Sequence, residues 1–299
     1  MPLNGNVAIV TGAGGGLGRA HAEFLARQGA RVVVNDLSPD SVSETVAAIR
    51  AAGGEAIGCI GSVTDEIAVK QMVDDAVREW GRVDILVNNA GILRDRSFTK
   101  MTIDEFRLVV DVHLMGAAIC SKAVWDLMRE QNYGRIVMTT SSSGLFGNFG
   151  QANYGAAKMA LVGLMQTLAI EGAKYNIRVN CLAPTAATQM TRGILGDDQL
   201  AALSPELVSP ALLALAGPDA PTRAILCAGA GHFATSNITL TDGIYIGSGD
   251  EAGEELIRNW AEVSDRAGEI VPDYGFTQSE REVASASSFQ PVAALAANR

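Results

Sequence analysis

Short apolar runs rich in β-branched residues alternate with stretches of helical spacing along most of the chain. Val7 to Val10 stops at Thr11-Gly12 and predicts a buried strand. Gly18 to Gln28 has helical spacing and ends at Gly29, a natural stop. Arg31 to Val34 predicts a second strand, running into Asn35-Asp36, and Ser41 to Ala52 a helix closed by Gly53-Gly54. Ala56 to Ile60 reads as a third strand. Asp65 to Trp80 reads as a helix with Ile67, Val69, Met72, Val73 and Val77 apolar. Ile85 to Val87 is a fourth strand, followed by Asn88-Asn89-Ala90-Gly91. A long helix is expected from about Ile103 to Arg129, a fifth strand over Arg135 to Thr140, and a second long helix over Asn153 to Tyr175. Arg178 to Leu182 and Ala224 to Cys227 complete a set of seven strands.

Strands alternating with helices imply parallel pairing through crossovers, hence an α/β doubly wound parallel sheet covered on both faces. Ligands then sit beyond the carboxyl ends of the strands. Ala186 to Ser209 is less regular. From Gly247 the composition shifts: Glu251 to Arg266 has an amphipathic pattern with Leu256, Ile257, Trp260 and Val263 on one side. Gly268 to Arg299 is rich in Ala and Ser with little period, as expected of a flexible tail or an arm docked on a partner. The expected organisation is one domain over 1–250 and a C-terminal helical extension and tail over 251–299.

Composition narrows the partners. A net charge of -10 over 299 residues argues against nucleic acid, which needs a basic face. Cys59, Cys120, Cys181 and Cys227 are scattered without metal or redox spacing, so no metal site is expected. Free thiols suit a reducing, cytoplasmic setting. Met1 to Val10 lacks a secretory pattern. Met159 to Ile170, read as the most apolar helix, is too short to span a bilayer, so no membrane insertion is expected. The Ala-Asn-Arg ending differs from the peroxisomal Ser-Lys-Leu address.

Thr11 to Gly18 reads TGAGGGLG between the first strand and the first helix. Gly12, Gly14, Gly16, Leu17 and Gly18 form a turn that lets backbone approach a pyrophosphate, and the helix N-terminus offers free N–H groups and a positive dipole end. A glycine-rich connection alone would need no ligand; its place between strand and helix favours one. Asp36 closes the second strand, where a carboxylate can bind a free ribose hydroxyl and would repel a 2′-phosphate. This points to NAD, although a solvated turn aspartate is common at such positions. Asn89, Ala90 and Gly91 follow the fourth strand and can shape the pocket or form a simple turn. Ser62 and Val63 end the third strand, where an adenine edge could lie.

The chemistry is carried further along. Tyr154 and Lys158 stand one helical turn apart on one face, with Ser141 at the end of the fifth strand. A free tyrosine, with a pKa of about 10, is a poor base near neutrality, and a neighbouring ammonium favours its phenolate. Tyr154 could then take an alcohol proton while hydride leaves carbon, with Ser141 holding the substrate oxygen. Each residue alone is as readily a surface or turn residue; the combination is the signal.

TGAGGGLG, Asn88-Asn89-Ala90-Gly91 and Ser141 with Tyr154-x-x-x-Lys158 together resemble the short-chain dehydrogenase/reductase family, over Val7 to about Ile246. The resemblance implies a single Rossmann-type domain, an NAD cofactor, oxidation of a secondary alcohol and a homodimer or homotetramer. It also implies that Tyr154 and Lys158 contact the cofactor, that Lys158 bonds the nicotinamide ribose, and that Pro184 and Thr188 lie at the nicotinamide. Three longer stretches, Asn88 to Phe98, Asn132 to Lys158 and Ala169 to Pro184, resemble a narrower group. It comprises the (3R)-hydroxyacyl-CoA dehydrogenase part of peroxisomal multifunctional enzymes and related bacterial hydroxyacyl-CoA or 17β-hydroxysteroid dehydrogenases. The expected substrate is an acyl-CoA or a steroid. Arg94, Arg96, Lys100 and Arg192 are candidates for CoA phosphates, or simply surface partners of Asp95 and other acids. The loop Ala186 to Leu203 is the candidate pocket lining. Two departures stand out. His113 occupies the place where many members carry a catalytic Asn, and its pKa would be open to tuning. Pro184-Thr185 replaces the usual Pro-Gly.

Overall fold

A computed structural model describes residues 1–187 and 202–288. Its centre is one sheet of strands β1 (Val7–Thr11), β2 (Arg31–Asp36), β3 (Ala56–Ile60), β4 (Ile85–Asn88), β5 (Gly134–Thr139), β6 (Ile177–Thr185), β7 (Ile225–Gly229) and β8 (His232–Ser236). The order is β3-β2-β1-β4-β5-β6-β7-β8. The first seven strands are mutually parallel, and β8 runs antiparallel to β7. The chain therefore reverses its direction of build-out between β1 and β4, where a crevice opens at the carboxyl ends.

Both faces are covered, and the pleat divides the side chains between them. Ala8 and Val10 of β1 join Val32 and Val34 in a core beneath helices α1 (Gly16–Arg27) and α2 (Pro39–Ala51). Val7 and Ile9 join Val33 in the opposite core, under α3 (Glu66–Trp80) and the long helices that follow. Buried Asp84 ties two strand starts together: it accepts the Val7 N–H at 2.9 Å and holds Arg82 through both oxygens.

Local signals set the helix ends. Ser38 caps α2, Asp65 caps α3, and Gly81 ends α3 in the left-handed conformation. Thr102 and Glu105 form a reciprocal capping box for α4 (Ile103–Val110). That helix continues through a π-helical turn, Asp111–Met115, into α5 (Gly116–Gln131). Residues Ile103–Gln131 are long and apolar enough, by length and composition, to cross a membrane. Val109, Ala117, Cys120, Val124 and Met128 are nevertheless buried, all but Val109 in the core of the second face, as in the core helix of a globular fold. After β5 come α6 (Ser142–Phe146) and α7 (Ala152–Gly172).

The sheet has one strand more than the seven expected. β8 is an exposed edge strand joined by a tight turn in which Ala230 and Gly231 both have positive φ, 51° and 74°. That is the geometry a two-residue hairpin needs, but alanine is not a residue that announces it. Met1–Ser236 forms one compact unit and Asn237–Arg299 a second. In the second, the expected Glu251–Arg266 helix is two helices, Ala252–Arg258 and Trp260–Val263, and a further helix, Phe276–Ser288, lies in the stretch read as aperiodic. The described residues of these three helices include no buried ones.

Candidate active site

The glycine loop leaves β1 at Thr11 and enters α1 at Gly16. A Cβ at Gly18 would lie 2.1 Å from the Gly12 carbonyl oxygen and 2.5 Å from Asn89 Nδ2, so no side chain fits there. Asn89 closes the same corner: its Nδ2 donates to the carbonyls of Thr11 at 2.9 Å and Gly12 at 3.2 Å. The Thr11 hydroxyl accepts the N–H groups of Asn89 and Ala90. Helix α1 has no side-chain cap and no acidic residue in its first turn. Its first N–H groups have no helical partners, which fits a phosphate-bearing group. Leu17 packs inward against the α1 core and steadies the turn.

Asp36 reaches this loop. Its Oδ2 accepts the Gly14 N–H at 2.9 Å, and its Oδ1 accepts the Leu37 N–H at 2.7 Å. A side chain at Gly14 would strike Asp36 and Ser41. Ser62 bonds Thr64 within its own turn, while Val63 is buried beneath Gly116. Pro184 lies near the end of β6, paired with Ala228. Thr188 and Arg192, and most of the expected pocket loop, lie outside the described residues.

At the ends of β4 and β5 the structure brings Ser141, Tyr154, Lys158 and His113 together. Ser141 caps α6, accepting the Ser143 N–H at 3.2 Å. Lys158 is buried, and its Nζ donates to the Thr139 carbonyl at 2.5 Å and lies 5.4 Å from the centre of the Tyr154 ring. Burial pushes the Lys158 pKa down to about 7. Burial likewise raises that of Tyr154; Ser141 opposes this by bonding the phenol, and the Asp95 carboxylate adds to it. The ammonium's pull on the phenol, expected from the spacing, thus meets desolvation of both groups, which favours their neutral forms.

His113 sits in the π-helical turn, 3% exposed. Its Nε2 is 2.8 Å from the Ile92 carbonyl oxygen and 3.0 Å from the Ile92 nitrogen, and its ring meets Tyr154 edge-on at 5.2 Å. Among the described residues Nδ1 has no hydrogen-bond partner, and neither have Asn88 Oδ1 and Thr139 Oγ1. Burial first, then the charge of Lys158, lowers the His113 pKa to about 3, with an opposing pull from the Ile92 backbone. Burial thus tunes the ring strongly downward, toward its neutral form at physiological pH. Gly91 makes room for it: a Cβ there would lie 2.1 Å from His113 Cε1.

Residues that sequence reasoning did not single out join the loop after Gly91 to the start of α7. Asn153 Nδ2 donates to the Arg94 carbonyl at 3.1 Å, Gln151 Nε2 to Asp95 Oδ2 at 2.6 Å, and the Arg96 N–H to the Gly150 carbonyl at 2.9 Å. Of the candidate cations, Arg96 is engaged by Glu105 at 2.7 Å, and Arg94 bonds the Leu93 carbonyl. No residue type or spacing signals these long-range bonds.

A glycine-rich loop at the carboxyl end of β1, with a half-buried tyrosine and a buried lysine, defines an oxidoreductase of the nicotinamide-dinucleotide class. The short chain dehydrogenase family model matches residues 6–198, and the chain belongs to that family. Peroxisomal multifunctional enzyme type 2 of Drosophila melanogaster is 52% identical over 219 residues, 70% of this chain and 36% of that protein. The chain thus spans about a third of that relative's length. Its full-length structure matches with a TM-score of 0.80 at 36% identity, covering 95% of this chain and 49% of that one. A short chain dehydrogenase from Mycobacterium avium matches at 0.77 and 36% identity, over 92% and 100%. A 7α-hydroxysteroid dehydrogenase complexed with NADH and 7-oxo glycochenodeoxycholic acid matches at 0.71 and 31% identity, over 77% and 94%.

Proposed function

We propose that the protein interconverts (3R)-3-hydroxyacyl-CoA and 3-oxoacyl-CoA with NAD. The observation that carries the chemistry is Tyr154, with Ser141 and Lys158 around it, at the carboxyl end of the sheet beside the Gly12–Gly18 cradle. Similarity to the multifunctional enzyme supports the acyl-CoA class. Asp36 supports NAD: its carboxylate lies against the loop at Gly14, where a 2′-phosphate would meet negative charge.

Bound NAD supplies the acceptor for the hydride lost from the carbinol carbon. Tyr154 takes the hydroxyl proton as that carbon is oxidised, and returns it in reduction. Ser141 holds the substrate oxygen. Lys158 would hold the cofactor's ribose and stabilise the phenolate once formed. Neutral His113 braces the loop after Gly91 through Ile92 and faces the tyrosine ring. A steroid alcohol is the second reading, supported by the likeness to a steroid-binding dehydrogenase.

Purified protein with NAD, offered the (3R) thioester, its (3S) isomer and a 17β-hydroxysteroid, tests this. NADH formation is expected with the (3R) thioester. Brisk steroid oxidation with none from the thioester overturns the first reading. Tyr154→Phe is expected to lower kcat by about 10³-fold with NAD binding kept; unchanged turnover removes the tyrosine from the chemistry, and unchanged cellular function would favour a non-catalytic NAD-binding scaffold.

The assembly we infer is a homodimer or homotetramer, supported by exposed apolar side chains such as Phe98, Ile103, Phe146 and Phe149. Sedimentation showing only monomer at micromolar concentration would refute it. Four free thiols support a reducing, cytoplasmic setting.

A further inference from the structure

The stretch Gly91 to Phe98 carries acids and bases that the proposed chemistry leaves unused. Asp95 does not pair with its arginine neighbours: Arg96 turns to Glu105 and Arg94 to the Leu93 carbonyl. Its Oδ2 instead accepts Gln151 Nε2 at 2.6 Å. Gln151 is buried, stands immediately before α7, and has its other polar atom fixed by Asn148 Nδ2 at 3.1 Å. Asn153 carries the next bond, to the Arg94 carbonyl, and its Oδ1 accepts the Tyr154 N–H at 2.7 Å. The backbone of Tyr154 is thus one link from the loop. At its other end the loop rests on His113 through Ile92.

We propose that Asp95 is a positioning residue for Tyr154, which acts through Gln151 to lock the start of α7 onto the loop Ile92–Phe98. The proposal rests on the reading of Tyr154 as the proton-transfer group. The negative charge of Asp95 also adds, after burial, to the raising of the phenol pKa. Lys158 lies beside the ring from α7, neutral His113 meets it from the π-helical turn, and Ser141, at the end of β5, opposes the rise of its pKa. Asp95 is the acidic group that adds to the effect of burial, holding the phenol in its protonated form. One side chain therefore helps to place the phenol through Gln151 and adds, after burial, to its hold on the proton.

Two readouts test this without turnover. The first is alkaline titration of Tyr154 by phenolate absorbance, taken as the difference from a Tyr154→Phe protein. Asp95→Asn keeps an acceptor for Gln151 and removes the charge, so the Tyr154 phenol is expected to titrate at lower pH than in the parent. The second is amide hydrogen exchange over residues 92–98. It should rise about tenfold in Asp95→Ala, which loses a charge-assisted hydrogen bond, and stay near the parent rate in Asp95→Asn. If Asp95→Ala does not fold, Gln151→Ala removes the other partner of the same bond. An unmoved phenol titration in Asp95→Asn, or unmoved exchange in the alanine variant, overturns the proposal. In steady-state assays Asp95→Ala should lower kcat about tenfold with the KM for NAD unchanged, since a displaced reacting group costs rate. Full activity of Tyr154→Phe would sink the catalytic reading alone, because neither readout above depends on turnover.

Discussion

Individual side chains at the candidate site are held in states that cost the fold stability. Lys158 has a folded pKa of about 7 against an ordinary 10.5. Between these values the unfolded chain binds more protons than the folded one, so stability rises with pH across that window. Below it the buried ammonium costs the fold most. Lys158→Met should therefore raise the melting temperature at pH 6.5 by a larger margin than at pH 10, while abolishing turnover; an equal margin at both would show that the lysine is not desolvated. Gly91 and His113 form a second such pair. A Cβ at 91 would overlap the ring, so Gly91→Ala should destabilise by about 2 kcal/mol in urea titration. Combined with His113→Ala, which removes the ring, it should cost clearly less than the sum of the two single changes.

The elements were legible in proportion to how local their causes are. Strands β1, β2 and β4 stand out because each is a short apolar run buried on both faces, and the crossover helices because caps such as Asp65 and Thr102-Glu105 are local signals. Ser141, Tyr154 and Lys158 were visible for the same reason: one helical turn and one strand end bring them together. The π-helical turn was hidden, since a shift in hydrogen-bond register from i−4 to i−5 leaves no mark in residue type. It is nonetheless the element that carries His113. β8 was hidden by an alanine at positive φ, and the helix Phe276–Ser288 by its Ser and Ala content. The bonds from Gln151 and Asn153 join stretches far apart in sequence, beyond any pattern of periodicity. At the strand starts, Asp84 joins β1 to β4, and Asp84→Ala would orphan the Val7 N–H. That change should cost about 2 kcal/mol, measured by chemical denaturation at pH 7, with a comparable loss in Asp84→Leu because the N–H is orphaned there as well.

At the scale of the whole molecule, two buried histidines set an acid limit. His21 and His113 both have folded pKa values of about 3 against 6.5. The unfolded chain takes up these protons first as pH falls, so stability should decline from about pH 6.5 downward toward pH 3. The slope should approach about 2.7 kcal/mol per pH unit within that window if both contribute. Denaturant titrations between pH 7 and 5 should show it, with a shallower slope in His21→Gln; a flat profile would mean that neither ring is buried neutral. The bonds from Arg94, Asp95 and Arg96 to Gly150, Gln151 and Asn153 bear on a different property, the way this sequence can be shuffled. Each half of that contact is meaningless without the other, so the two stretches should be inherited as a block. In a library of chimaeras with other dehydrogenases of the family, a breakpoint anywhere between Phe98 and Gly150 would join halves from different parents. Recombinants that keep both halves from one parent should dominate the active survivors.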